Sequence, residues 1–199
     1  MKTNTVKISQ INFQGISLPE ITIEKGELYR IELGISHGIN RKLLSEILKK
    51  ECNQQNIATV NNLKKRINIK SLFKSKTVKD FLAEKEIPKE ETERLINICE
   101  NNQLERVKGE TKLDDLSEQE FRLIKFFVLL IHNNKIFIET GGMYLSALVG
   151  TYEIIKEFLK NGGIVIELAY PHFDKTDELK WYATRNLKSV QIGKMKIEN

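Results

Sequence analysis

The first fifty residues alternate apolar and polar positions and then change to a helical spacing. VKISQINF (6–13) and ITIEKGELYRIELGI (21–35) alternate as half-buried strands do, and the second run is divided by a turn at Lys25-Gly26. INRKLLSEILKKE (39–51) instead has apolar residues at 39, 43, 44, 47 and 48, which predicts one buried helical stripe. The segment that begins at Gly34 therefore joins a strand to a helix.

The rest of the chain alternates predicted helices with short apolar strands. Four helices are predicted, and they lie in TVKDFLAEKE (77–86), PKEETERLINICENN (88–102), LSEQEFRLIKFFVLLIHNN (116–134) and SALVGTYEIIKEFLKNGG (146–163). Thr77 and Ser117 are predicted N-caps, and Glu120 completes a capping box with Ser117. Strands are predicted in NIATV (56–60), KIFIE (135–139) and IVIELAY (164–170), and a hairpin in SVQIGKMKIEN (189–199). This order predicts an α/β fold with a mostly parallel sheet.

Composition places the chain among soluble globular proteins. It has 199 residues, of which 40% are hydrophobic and 30% charged, enough for one compact domain. Its longest apolar runs are shorter than the roughly 18 residues of a membrane span, and its first residues lack the apolar core of a signal peptide. Cys52 and Cys99 are expected to be free thiols in a reducing cytoplasm, and the three histidines show no metal-ligand spacing.

Charge is unevenly distributed along the chain. Residues 41–80 hold 11 Lys or Arg against 3 Asp or Glu, whereas residues 81–120 hold 6 against 12. We favour two solvated faces as the explanation, and the alternative is a basic docking patch for nucleic acid or an acidic partner. The basic segment has Phe73 as its single aromatic residue, so it lacks the interleaved aromatics of single-strand binders.

Six segments follow one another in an order that is typical of one family. They are GELYRIELGISHGINRKLLSEIL (26–48), IATVNN (57–62), SLFKSKTVKDFLAE (71–84), LSEQE (116–120), KIFIETGG (135–142) and IVIELAYPHF (164–173). Over about residues 5–197 they resemble the nucleotide-binding domain of ABC transporters. The resemblance implies a P-loop NTPase-like fold, with a mostly parallel sheet flanked by helices, an N-terminal antiparallel β part and a small helical subdomain. It also implies a single domain over 1–199, with a core at 1–62 and 116–199 and the helical subdomain at about 63–115.

The resemblance places the Walker A loop between Gly34 and Lys42. His37 and Ile39 fall on the middle and last glycines of the loop, Asn40 on its lysine and Arg41 on its first hydroxyl residue. A phosphate loop needs small residues, a lysine for the terminal phosphates and a hydroxyl for magnesium, so this loop is implied to be degenerate. The positions implied for a weakened nucleotide site are Phe13, Gly34, Ser36, Gly38, Asn40, Arg41, Lys42, Asn62 and Glu139.

The other family motifs carry similar replacements. LSEQE resembles the signature LSGGQ at Leu116, Ser117, Glu118, Gln119 and Glu120. The Glu118 carboxylate would repel phosphate, and the same letters taken alone are an ordinary helix capping box. In KIFIETGG, Glu139 falls on the magnesium-organising aspartate and Thr140 on the catalytic glutamate, and His172 lies near the switch histidine. Phe13 falls where the family stacks an aromatic on adenine, although a plain core position is as good an interpretation.

The resemblance leads to one favoured hypothesis and two alternatives. The first is a degenerate, non-hydrolysing subunit that pairs as a homo- or heterodimer with another ATPase subunit. It would dock through about residues 60–115 on a membrane subunit, at the cytoplasmic face of the membrane. It implies no firm cofactor, with ATP and magnesium only if the loop retains weak binding. The second is a divergent but functional ABC-type ATPase, and the third, ranked last, is a nucleic-acid or partner-binding module.

Overall fold

The computed structural model describes residues 5–13, 16–33, 38–59, 76–169 and 187–192. The described residues fall into two compact units. The first has the boundaries Met1–Thr59, Asn134–Gly141 and Glu157–Asn199, and the second Val60–Asn133 and Gly142–Lys156. The expected division into a core and a helical subdomain with a boundary near residue 116 remains a prediction.

Nine strands and five α-helices make up the described part of the chain. The strands are β1 (Thr5–Ile8), β2 (Ile11–Phe13), β3 (Ile16–Leu18), β4 (Ile21–Glu24), β5 (Leu28–Leu33), β6 (Ala58–Thr59), β7 (Lys135–Glu139), β8 (Ile164–Ala169) and β9 (Leu187–Ile192). The helices are α1 (Gly38–Gln54), α2 (Val78–Glu84), α3 (Lys89–Asn101), α4 (Glu118–His132) and α5 (Leu145–Lys160), with a short 3₁₀ turn at Leu113–Asp115. In the described part of the chain, no helix is long and apolar enough to cross a membrane.

A parallel sheet forms the centre of the first unit. Its strand order is β6-β7-β8-β5-β9, and every neighbouring pair is parallel. All six residues of β8 are buried, as its continuous apolar run predicts. The predicted α/β class with a mostly parallel sheet is therefore confirmed. The predicted C-terminal hairpin is represented only by β9, because residues 193–199 lie outside the described part.

The N-terminal strands form two antiparallel pairs, β1 with β4 and β2 with β3. Val6 lies opposite Ile23 and Ile8 opposite Ile21, and all four side chains are buried. The alternation in the sequence is thus confirmed, although the single run 6–13 forms two strands, and β3 was not predicted. Its three residues, ISL, are too short to show a period.

The turn between β4 and β5 sends the chain from an antiparallel pair into the parallel sheet. Gly26 adopts a positive φ of 82°, a conformation that favours glycine. Its amide donates to the carbonyl of Gly163 at 2.9 Å, and a Cβ here would lie 3.2 Å from the carbonyl oxygen of Leu159. The predicted turn at Lys25-Gly26 is confirmed, but the two strands that it joins lie in different sheets.

Helix α1 buries one face in the core of the first unit. Leu44, Leu48 and Cys52 are fully buried there with apolar residues of the strands, and Ile47 packs at the edge. Leu43 is 38% exposed, so its predicted place in the buried stripe is wrong. The buried line runs at intervals of four residues, and Leu43 lies about 100° around the helix from Leu44.

The helices of the second unit start where the sequence predicts. Thr77 caps α2 in a capping box with Asp80, and Pro88 is the N-cap of α3. Ser117 caps α4, and the apolar run Phe126 to Leu130 within α4 is buried. Local sequence signals therefore fix these boundaries.

Candidate functional site

The candidate site lies at the carboxyl end of the parallel sheet in the first unit. Glu139 is the last residue of β7, and Thr140 follows it directly. Helix α1 begins at Gly38, after β5, at the same edge. In α/β sheets ligands bind outside the carboxyl ends of the strands, so a ligand of this chain is expected at this edge.

The Glu139 carboxylate is held by two side chains of α1. Its Oε1 accepts a hydrogen bond from Ser45 Oγ at 2.8 Å and lies 2.5 Å from Lys49 Nζ. Ser45 and Lys49 are four residues apart, so both project from one face of α1. Ser45 is buried, whereas the side chains of Lys49 and Glu139 are 20% and 22% exposed. One carboxylate oxygen therefore receives a hydroxyl hydrogen bond and an ammonium charge from within the chain.

Thr140 belongs to a different and fully buried cluster. Its Oγ1 donates to Oε1 of Glu167, and its backbone amide donates to the carbonyl of Leu168 at 3.2 Å. Arg30 Nε lies 3.7 Å from Oε2 of Glu167, because Arg30 and Glu167 are paired residues of β5 and β8. The three side chains are almost completely inaccessible to solvent. Thr140 thus stabilises a buried ion pair and does not face the solvent.

The residues described at this edge do not fit a magnesium ion. Magnesium takes oxygen ligands in near-octahedral geometry, whereas an ammonium group is not a ligand and repels a divalent cation at the same oxygen. Oε1 of Glu139 already lies against the Lys49 ammonium, and the hydroxyl of Thr140 is directed to Glu167. Lys42, which the resemblance places on the last Ser/Thr of the Walker A loop, is exposed, and its ammonium is not a metal ligand. Within the described residues, no group of three His, Cys, Asp or Glu could hold a metal ion.

The signature-like segment lies in the second unit and acts as a helix cap. Ser117 Oγ accepts a hydrogen bond from the Glu120 amide at 3.2 Å, and the Ser117 amide donates to Glu120 Oε2 at 2.8 Å. Leu116 and Glu120 are buried, whereas Glu118 is exposed. The interpretation of LSEQE as a capping box is confirmed, and its role as an ABC signature remains a prediction.

Gln119 connects this segment to the start of α5 within the same unit. Its Oε1 accepts a hydrogen bond from the Tyr144 amide at 2.6 Å. Burial raises the pKa of the Tyr144 phenol above its usual value, and a hydrogen bond with Ser117 partly offsets that shift. Gln119 therefore holds backbone that precedes α5.

Several predicted site residues have no described side chain. Phe13, Gly38, Asn40 and Arg41 are placed by their backbone alone, in β2 and in the first turns of α1. Gly34, Ser36, Asn62 and His172 lie outside the described part of the chain. The structure therefore describes Glu139 and Thr140 in two separate side-chain clusters, and the predicted roles of the other residues remain predictions.

Four residues at the site were not predicted, namely Arg30, Ser45, Lys49 and Glu167. For two of them the sequence held a partial signal, because Glu167 is a charge within a run predicted to be a buried strand, and Arg30 has the opposite charge within a predicted half-buried strand. Ser45 and Lys49 gave a weaker signal. Their spacing of four residues places them on one face of a helix, but it does not predict which residue they contact.

Both cysteines are free, as predicted, and both are buried. Desolvation, with a smaller effect of Glu51, raises the pKa of the Cys52 thiol to about 12. Desolvation, with smaller effects of Glu120 and Glu100, raises the pKa of the Cys99 thiol to about 12. A thiol with such a pKa is protonated at neutral pH, so neither cysteine serves as a nucleophile there.

No protein-family model matches the sequence, and no curated protein sequence matches it either. Solved structures do match. A putative ABC transporter ATP-binding protein from Pyrococcus furiosus is similar with a TM-score of 0.59 and 16% identity, over 93% of this chain and 96% of that one. A nucleotide-free ATP-binding cassette from an ABC transporter gives a TM-score of 0.51 and 15% identity, over 96% and 87%.

A third solved structure agrees with the first two. It is the ADP conformation of an ATP-binding cassette of an ABC transporter, with a TM-score of 0.52 and 15% identity, over 95% of this chain and 88% of that one. The predicted fold is confirmed: the chain has the fold of an ABC transporter ATP-binding domain. At these identities the likeness concerns the fold, and activity has to be argued from the residues.

Proposed function

We propose that this chain is a degenerate ATP-binding subunit of an ABC transporter complex, which does not hydrolyse ATP. It acts as a structural or regulatory partner of an active ATPase subunit and of a membrane subunit. The fold supports the general role. The observation that supports the absence of hydrolysis concerns Thr140, which the resemblance places at the family's catalytic glutamate: Thr140 is buried and donates a hydrogen bond to Glu167.

Hydrolysis of ATP in this fold needs a water molecule positioned by a group that can accept its proton. A threonine hydroxyl is too weak a base near neutral pH, and the Thr140 hydroxyl donates a hydrogen bond to Glu167. The neighbouring carboxylate, Glu139, faces Lys49. A general base normally contributes a factor of roughly 10² to 10⁴ in rate, which this arrangement does not provide.

The proposed partners follow from the role of a subunit that lacks its own catalysis. In this proposal the chain pairs with a second ATPase subunit as a dimer, and about residues 60–115 dock on a membrane subunit. It would then lie in the cytoplasm, peripheral to the membrane. Copurification with an intact ATPase subunit would support the heterodimer, whereas a stable dimer of this chain alone would support the homodimer.

ATP hydrolysis by the purified chain tests the proposal. We expect turnover with magnesium to stay at the background of a buffer blank, and Glu139→Ala to show the same background. An active ATP-binding cassette assayed in parallel provides the positive control. Turnover above background that is abolished by Glu139→Ala would contradict the proposal, because it would show that Glu139 supports catalysis.

A divergent working ATPase is the second candidate, and the start of α1 favours it. The first turn of this 17-residue helix carries no acidic residue, and the N-terminus of a helix attracts anions. If this site binds ATP, millimolar ATP should raise the melting temperature, since the ligand binds only the folded state. An unchanged melting temperature would reject this candidate and leave the non-hydrolysing subunit.

A further inference from the structure

We infer that the Lys49 ammonium is a built-in cation that replaces a divalent metal at Glu139. The inference rests on the proposed function only in taking Glu139 as the residue at the family's metal position. It adds a property of the chain itself, namely that Lys49 neutralises the negative charge of the Glu139 carboxylate without a metal.

The geometry shows that Lys49 shares one oxygen with Ser45. Both Lys49 Nζ and Ser45 Oγ approach Oε1 of Glu139, at 2.5 Å and 2.8 Å. A metal bound at this oxygen would lie next to the ammonium, and two cations at such a distance repel each other strongly in a partly desolvated site. The ammonium and a divalent ion are therefore alternatives at Oε1.

The core of the first unit fixes the helix that carries Lys49. Leu44 directly precedes Ser45 and Leu48 directly precedes Lys49, and both leucines are fully buried in the hydrophobic core. A 17-residue helix anchored in this way holds the root of the Lys49 side chain in place. The ammonium therefore stays close to the carboxylate, and its contact is not comparable to a pair of long side chains on an open surface.

Removal of the ammonium should convert the same groups into metal ligands. Lys49→Met retains an unbranched apolar stem that ends one atom short of the lysine nitrogen, and it removes the charge. The Glu139 carboxylate and the Ser45 hydroxyl then remain as two oxygen donors within one small site. Hard divalent cations such as magnesium and manganese prefer such oxygens.

The test is the melting temperature in MnCl₂, without nucleotide, against NaCl of the same ionic strength. We expect no rise for the wild-type chain and a rise of about 3–6 °C for Lys49→Met at a metal concentration of roughly ten times its dissociation constant. Lys49→Met/Glu139→Gln should lose the rise, because the carboxylate is gone. Lys76→Met is the matched control, since Lys76 pairs with Glu84 at 2.6 Å on an exposed surface and should give no rise.

Two results would overturn the inference. One is a wild-type chain that manganese stabilises while Glu139→Gln is unaffected by it, which would show that the metal binds despite Lys49. The other is a folded Lys49→Met chain without any rise. If Lys49→Met does not fold, the inference is still tested by the effect of manganese on the melting temperatures of the wild type and of Glu139→Gln. ATP turnover is measured separately, so a failed proposed function and a failed metal replacement give different results.

Discussion

The sheet edge at Glu139 and the signature-like segment LSEQE differ in the range of the contacts that fix their polar residues. Ser45 and Glu139 are 94 residues apart in the chain, and Thr140 and Glu167 are 27 apart. In LSEQE the contact joins Ser117 to Glu120, three residues away. At the first site the contacts of the polar groups come from residues distant in the chain, and at the second they come from the local helix start.

The long-range contacts at the sheet edge should stabilise the whole first unit, whereas the local contact in LSEQE should stabilise one helix. A tertiary contact between strands forms only when the sheet forms, so its loss should lower the free energy of unfolding of the first unit. A capping box acts on a single helix end, and its loss should have a smaller effect. Two substitutions measure this contrast.

The larger effect is expected for Arg30→Met. It leaves the buried Glu167 carboxylate without the guanidinium at 3.7 Å, and breaking a buried pair from one side costs about 3–5 kcal/mol. Urea unfolding should show this loss. The double variant Arg30→Met/Glu167→Met removes both charges and should recover most of it. A loss below about 1 kcal/mol for Arg30→Met would show that the pair behaves as a surface contact.

The smaller effect is expected for Ser117→Ala. It removes the hydroxyl that accepts from the Glu120 amide, and loss of an N-cap costs about 1 kcal/mol. Urea unfolding measures it, and Ser117→Asp is the control, because aspartate also caps a helix well. A loss as large as that of Arg30→Met would contradict the contrast and indicate that Ser117 has a tertiary role.

The same contrast explains what could be predicted from the sequence. The caps at Thr77 and Ser117 and the buried run of α4 depend on residues close in the chain, and these predictions are confirmed. The parallel sheet follows from the alternation of helices and apolar strands. The sequence did not predict β3, because its three residues are too few to show a period. It did not predict the exposure of Leu43 either, since packing against the core determines which face of α1 is buried.

The candidate site was predictable only at its two motif residues. Glu139 ends a recognisable apolar strand and Thr140 follows it, so their position at the sheet edge could be predicted. Their partners could not, because Lys49 and Glu167 reach them through the packing of α1 and β8. A sequence shows that Thr140 is not a carboxylate, and only the structure shows that it is buried against Glu167.

The most direct test of the account is a crystal structure of the chain grown with ATP and MnCl₂, with anomalous data collected for manganese. We expect no anomalous peak at the Glu139 carboxylate and Lys49 Nζ in hydrogen-bonding contact with Oε1. An anomalous peak on Glu139, with Lys49 withdrawn from it, would contradict the central claim that an internal ammonium replaces the metal.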